Sequence, residues 1–378
     1  MAWSSPPNLY RNRIRVMNTE CFVAKLFNEI ADNLRNDYSD NYDENRYGDE
    51  PKAKKSLKEK IFSIIRKKWR IIEDCHILQF NSLTPYYNRM AQVYDILDNE
   101  DSKNLYVKLI AYRILGYHRV KLPLNTAEFK KRNKISDEFK IGKEYIETPF
   151  VSGQTIKLYK HDLSKKDIPL KIYASSVYYL LFVNQYENDV VKIDEGDVLL
   201  DCGACWGDTA LYFANKVGNA GHVYSFEFIP ENIDVFKKNI ALNENISSRL
   251  TIVQNALGAE SGKILSFSNN GPGSKVGINE ENSIKVESLT IDDFVAKNSI
   301  DKINFIKMDI EGSELPSLKG AVNVLKKYKP KLAISIYHSL DDFVDIPLFL
   351  NSLNLGYKFY IKHGTIHHEE TVLLAISR

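Results

Sequence analysis

Cysteine is scarce. Four residues in 378, at positions 21, 75, 202 and 205, cannot form the disulfide framework of a secreted scaffold, and a reducing compartment is the simpler expectation. Long apolar runs are missing too. No window approaches the roughly 18 apolar residues of a spanning helix, so no membrane span is expected. Met1 to Tyr10 lacks the apolar centre of a secretory signal, and the expectation is a soluble, cytoplasmic protein. An excess of one charge is absent as well: 51 Lys and Arg stand against 49 Asp and Glu, a formal net charge of +2. That balance gives no reason to expect a nucleic-acid partner. Nor does any stretch carry the G-x-G-x-x-G fingerprint of dinucleotide enzymes.

What is present divides into thirds of different character. Residues 12–36 place Phe22, Val23, Leu26, Phe27, Ile30 and Leu34 at spacings of three and four, a helical period. Acidic, polar Asp37 to Pro51 reads as a loop. A basic amphipathic helix is expected over 54–73, its charges read as a solvated face. Helical patterning resumes from Thr84 to Gly116, broken by Asp98 to Ser102. The expected organisation is a helical region over 1–138, serving dimerisation or substrate gating, and a connecting hairpin and helix over 139–189. The third part, 190–378, alternates strands and helices. Its strands are expected at 198–201, 222–228, 250–254, 303–309, 332–337, 357–362 and 370–376. Helices are expected between them, including one continuous helix over 313–328. Such alternation argues for a doubly wound parallel sheet. The last two runs, around His363 to Thr365, argue for an antiparallel edge hairpin. His363, His367 and His368 are expected on the surface of that hairpin.

The chemistry-bearing residues fall at the expected strand ends. Val198 to Thr209 (VLLDCGACWGDT) reads as strand, glycine turn and helix start, the unit that offers backbone N–H groups and a positive helix end to a ligand. A carboxylate at Asp201 repels a pyrophosphate but suits a cationic amino-acid group or a ribose. Glu227 ends the next strand, where an acidic side chain can accept both ribose hydroxyls. Gln254 to Gly258, with Asn255 and Ala256, offers an amide and backbone for an adenine. Asp309 and Glu311 end the fourth strand and His338 the fifth, which brings a carboxylate and an imidazole together as a general base or part of a metal site. Cys202 and Cys205 have thiol–disulfide spacing, but they sit inside the glycine turn and no second pair completes a zinc site.

Several segments together resemble the FkbM-type family of S-adenosylmethionine-dependent methyltransferases, over about 190–378. They are Asp-x-Gly-Ala-x-x-Gly-Asp-Thr (201–209), Phe-Glu-x-x-Pro (226–230), Gln-Asn-Ala-Leu-Gly (254–258), Leu-Thr-Ile-Asp-Asp-Phe (289–294), Lys-Met-Asp-Ile-Glu-Gly-Ser-Glu (307–314), Leu-Lys-Gly-Ala (318–321) and 329–338 (KPKLAISIYH). The stretch 97–116 is similar to an N-terminal extension that some members carry. The resemblance implies an α/β fold with the seven-stranded, Rossmann-like class I methyltransferase sheet, carrying an antiparallel edge hairpin, beside an N-terminal helical domain. It implies a cofactor site of Asp201, Gly203, Ala204, Gly207, Asp208 and Thr209 near the methionine end, with Asp309. Glu227 falls on the ribose with Phe228 beside it, and Asn255 and Ala256 near the adenine. Phe228 stands where a proline often follows the acidic residue in that family; Pro230 is retained.

The implied activity is methylation of a hydroxyl on a sugar, a glycan or a related small molecule. His338 or Asp309 takes the proton, and Glu311 stands beside them. Related small-molecule O-methyltransferases hold a metal at the fourth and fifth strand ends. Asp309 matches, with His338 in the second place, which leaves a divalent cation such as Mg open. The glycine-rich segment 269–283 is placed to act as a lid over the acceptor. A homodimer through the N-terminal helices is a further expectation. Two readings compete: a nicotinamide-dependent oxidoreductase, and a non-catalytic cofactor-binding scaffold.

Overall fold

The computed structural model describes residues 8–48, 74–124, 126–150, 154–268 and 283–377. The expected basic helix at 54–73, the hairpin turn at 151–153 and segment 269–282 lie outside them. The chain divides into two compact units, Met1–Phe129 with His363–Glu369, and Lys130–Lys362 with Glu370–Arg378. The expected boundary at 138 falls inside the second unit. Among the described residues, no helix is long and apolar enough to cross a membrane.

The regular elements described in the first unit are helices, chiefly Asn8–Asn33, Asp74–Leu83, Tyr87–Ile96 and Glu100–Leu115. The break at 98–102 is a cap: Asn99 accepts the Ser102 N–H at 2.9 Å and so starts the last helix. Phe22, Leu26 and Ile30 on the first helix are buried, with the Phe22 and Tyr94 rings 5.5 Å apart. His367 is not on a hairpin surface. It is buried in this unit, its Nε2 3.8 Å from Asp43, and burial pushes its pKa down to about 3.

The second unit begins with an antiparallel sheet of β1 (Lys140–Pro149), β2 (Thr155–Asp162) and β3 (Lys171–Ala174). Its main sheet contains β4 (Val198–Cys202), β5 (His222–Phe226), β6 (Leu250–Val253), β10 (Phe305–Met308), β11 (Lys331–Ser335), β12 (Tyr357–His363) and β13 (Thr371–Ser377). The strands lie in the order β12-β13-β11-β10-β4-β5-β6. The five strands from β11 to β6 run parallel, and β13 is antiparallel to β11. Order reverses between β4 and β10, which puts a crevice outside their carboxyl ends.

A third, small sheet was not foreseen. β7 (Ala256–Leu257) pairs parallel with β9 (Ser283–Leu289), and β8 (Ile264–Ser268) pairs antiparallel with β9. The expected helix over 313–328 is two helices, Glu314–Lys319 and Val322–Tyr328. The chain turns between them because the Gly320 carbonyl accepts the Asp292 N–H at 2.9 Å, and a Cβ on Gly320 would strike the Gly258 carbonyl. The aromatic segment after Val177 is one π-helical turn, Tyr179–Val183, rather than a full helix.

Two asparagines, one on the helix Pro230–Ala241 and one just past it, hold β3 of the small first sheet. Asn239 takes the Tyr173 N–H and donates to the carbonyls of Tyr173 and Trp206. Asn243, just past that helix, brackets Lys171 in the same way. Leu158 and Trp206 then pack together with Val235, covering the glycine turn.

Candidate functional site

Strand β4 stops at Cys202 and the chain reverses through Gly203 and Gly207, both with positive φ. A Cβ on Gly203 would meet the Asp309 carbonyl, and one on Gly207 would meet the Phe236 ring. Glycine is thus required at the first by backbone and at the second by a side chain. The turn feeds the helix Asp208–Val217, whose Leu211, Phe213 and Val217 are buried against the sheet.

A cleft of about 620 Å³, solvent mouth included, opens beside this turn. Of the expected residues, Gly203, Glu227, Phe228, Asn255 and Ala256 line it, with Asp309 and Glu311 at the β10 end. Asn232 and Phe267 line it too, and the sequence reading missed both. Asn232 could have been sought at one helical turn past Glu227. Phe267 owes its place to β8, which reaches the cleft through the small third sheet.

Asp201, Ala204, Gly207, Asp208, Thr209 and His338 are not among the cleft residues. Asp201 is fully buried, with Lys307 Nζ 3.1 Å from its Oδ1 and the Thr209 hydroxyl donating to its Oδ2 at 3.3 Å. The carboxylate expected near a cationic ligand is therefore spent on an internal cation. Ala204 packs with Ala210 and Phe236, and Asp208 sits in the first helical turn, its pKa raised by burial. Cys202 and Cys205 are reduced, and burial pushes both thiols up, so neither is a thiolate at neutral pH.

Glu227 is held hard in place. Its Oε1 accepts the N–H groups of Phe228 and Ile229 at 2.7 and 2.8 Å, and Oε2 accepts from Asn232 at 3.2 Å. Burial still outweighs these donors and pushes the carboxyl up to about 7. Acceptor capacity remains on Oε2. The amide oxygen of Asn232 is buried and has no hydrogen-bond partner among the described residues. The Phe228 and Phe267 rings lie 4.4 Å apart on the same wall. Two hydroxyl acceptors beside an aromatic wall suit a ribose and its base, so the residues present fit an adenosyl group.

At the β10 end, Asp309 accepts from the Tyr186 hydroxyl at 2.8 Å and the Tyr337 hydroxyl at 3.3 Å. Burial, with the charge of Asp309, pushes both phenols well up, and both stay donors. Glu311, at φ 56°, and Gly312, at φ 95°, make a left-handed turn directly after. His338 Nε2 lies 3.5 Å from Asp309 and 3.7 Å from Glu311, while Nδ1 lies 3.1 Å from Glu314. Burial lowers the ring's proton affinity, but Glu314, Asp309 and Glu311 outweigh it and raise the pKa to about 9.

Asp309, Glu314 and His338 bring one ligand atom each within 4.8 Å. They fit a proton better than a divalent cation. The ring turns a different nitrogen to each carboxylate, Nε2 to Asp309 and Nδ1 to Glu314. An ion among them would have to displace both contacts. No step below is routed through a metal.

Comparison with known proteins agrees with this architecture. Residues 201–359 match the family described as the methyltransferase FkbM domain. The hexuronic acid methyltransferase AglP of Haloferax volcanii is 29% identical over 150 residues, covering 37% of this chain and 58% of that protein. This chain therefore spans only part of that relative's length. The methyltransferase sdnD of Sordaria araneosa is 25% identical over 183 residues, covering 40% of this chain and 70% of that one. The crystal structure of an FkbM methyltransferase from Methylobacillus flagellatus KT is similar with a TM-score of 0.52 at 17% identity. It covers 85% of this chain and 72% of that structure, a likeness of fold. Residues 201–359 thus match a methyltransferase FkbM domain, and the main sheet has the class I methyltransferase fold.

Proposed function

We propose that the protein uses S-adenosylmethionine to methylate a hydroxyl group of a sugar, a glycan or a related small molecule. One observation carries this reading. Glu227 and Asn255, at the ends of β5 and β6, open onto the same cleft as Asp309 and Glu311 at the end of β10. A nucleoside held at one end then presents its other end to a carboxylate cluster. The hexuronic acid methyltransferase among the relatives supports a sugar-like acceptor.

When bound, S-adenosylmethionine supplies an electrophilic methyl on a sulfonium. The chain's own residues do the rest. Glu227 and Asn232 take and orient ribose hydroxyls, and Phe228 with Phe267 gives the base an aromatic wall. Asp309 would accept the proton of the attacking hydroxyl as the new C–O bond forms and the methyl–sulfur bond breaks, with neutral S-adenosylhomocysteine as the leaving group. His338 is the weaker choice of base, because a ring with a pKa of about 9 already carries its proton at neutral pH. The two tyrosines hold the Asp309 carboxylate in one orientation, and alignment of acceptor and methyl supplies most of the acceleration.

Calorimetric titration with S-adenosylmethionine and S-adenosylhomocysteine tests the reading. Micromolar binding is expected, weakened roughly 10- to 100-fold in Glu227→Ala through loss of charge-assisted hydrogen bonds. Absence of binding by the wild type, with NADH binding instead, would revive the oxidoreductase reading.

A further inference from the structure

Glu314 opens the helix Glu314–Lys319 and is fully buried, yet the mechanism above gives it no task. A buried carboxylate is costly unless it is paired and hydrogen-bonded. Its Oε1 accepts the Ile310 N–H at 2.8 Å and lies 3.1 Å from His338 Nδ1, an ion-pair contact, since neither ring nitrogen has an aligned hydrogen-bond partner among the described residues. Its Oε2 has no hydrogen-bond partner among the described residues. The opposite ring nitrogen, Nε2, faces Asp309 and Glu311. The imidazole is thus held between one carboxylate that is shut away and two that line the cleft.

The geometry points to Glu314 as the positioning residue of the methyl-transfer end. It fixes the His338 ring through Nδ1, so that only Nε2 is presented to Asp309 and Glu311. The assignment of that end rests on the methyltransferase reading above. Which ring nitrogen faces a site is set by what the other one touches. The same carboxylate oxygen also holds Ile310, the residue between Asp309 and Glu311, and so ties the ring to the turn that carries both acids. Glu311 lies in the left-handed region, where a non-glycine residue needs such a tether. The charged groups that face the ring are Glu314, Asp309 and Glu311, with Asp342 adding to the field around it.

NMR of the full chain labelled with ¹⁵N-histidine, with His338 assigned by difference from His338→Gln, reads this directly. In the wild type both ring nitrogens should stay protonated through pH 8. Above the titration midpoint the remaining proton should sit on Nδ1, toward Glu314. Glu314→Gln, which keeps the size and removes the charge, should lower the midpoint by one pH unit or more, and Glu314→Asp should fall between. An unchanged midpoint in Glu314→Gln overturns the proposal. So does a neutral wild-type ring that keeps its proton on Nε2, a readout that survives if the variant fails to fold. Broadening of the wild-type His338 signals by stoichiometric Mn(II) would make the ring a metal ligand and overturn it as well. Calorimetry with S-adenosylhomocysteine runs alongside. Absent binding would sink the proposed function while leaving the Glu314–His338 readout to stand or fall alone.

Discussion

Lys307 Nζ lies 3.1 Å from Asp201 Oδ1, and both side chains are closed off from solvent. The two residues are direct cross-strand partners in the β4–β10 register, so the sheet itself sets the pair. Lys307 also donates to the Gly203 carbonyl at 2.7 Å, pinning the glycine turn above. Burial disfavours its charge, but Asp201 and Asp309 hold the ammonium pKa above its ordinary value.

Removing one partner of this pair strands the other as a buried charge. Lys307→Met is expected to cost about 3–5 kcal/mol, measured by urea unfolding. The double variant Asp201→Leu with Lys307→Met should recover most of that loss, since a matched apolar pair carries no stranded charge. A double variant no better than the single would mean that the hold on Gly203, rather than the charge, is what matters.

The two glycines of the turn should fail in different ways. Gly203→Ala drives a methyl into the Asp309 carbonyl, a backbone group with nowhere to go. No second change nearby is expected to rescue its folding. Gly207→Ala meets the Phe236 ring first, a side chain rather than backbone, so Gly207→Ala with Phe236→Ala should fold better than Gly207→Ala alone. About 1 kcal/mol of residual backbone strain would remain from the positive φ. Thermal melts of the three variants decide it.

Cofactor binding should depend on pH through Glu227. Its carboxyl, pushed up to about 7, accepts hydroxyl donors best when ionised. Affinity for S-adenosylhomocysteine should therefore rise between pH 6 and pH 8 and level off above. Glu227→Gln should bind more weakly with no such rise. Identical pH profiles for the two proteins would remove Glu227 from the ribose.

Stability should carry the signature of His338. Its folded pKa, about 9, lies above the unfolded value near 6.5. The stabilisation is fully present below about pH 6.5 and is lost as pH rises through 9. Relative to His338→Gln, the wild type should lose on the order of 3 kcal/mol between pH 6 and pH 10. Parallel stability curves for the two proteins across that range would show the ring to be neutral at rest.

Much of this protein was legible along the chain. The seven main strands follow from apolar runs of four to seven residues ended by turn signals. Glu227, Asn255, Asp309 and Glu311 reach one cleft because strand ends in a parallel sheet share an edge. What the chain could not disclose is how the residues beneath that edge are spent. Asp201 reads the same whether it greets a ligand or a lysine. Only the β4–β10 register brings Lys307, 106 residues on, to its side. Tyr186 and Tyr337 meet Asp309 across 123 and 28 residues, and no spacing rule announces them. Glu314 looks like one more acid after a glycine turn until the ring of His338 is seen against it. Local pattern decided the elements because hydrophobic periodicity is a property of neighbours. Tertiary structure decided the charges, because the energy of a buried ionisable group depends on what packs around it in space.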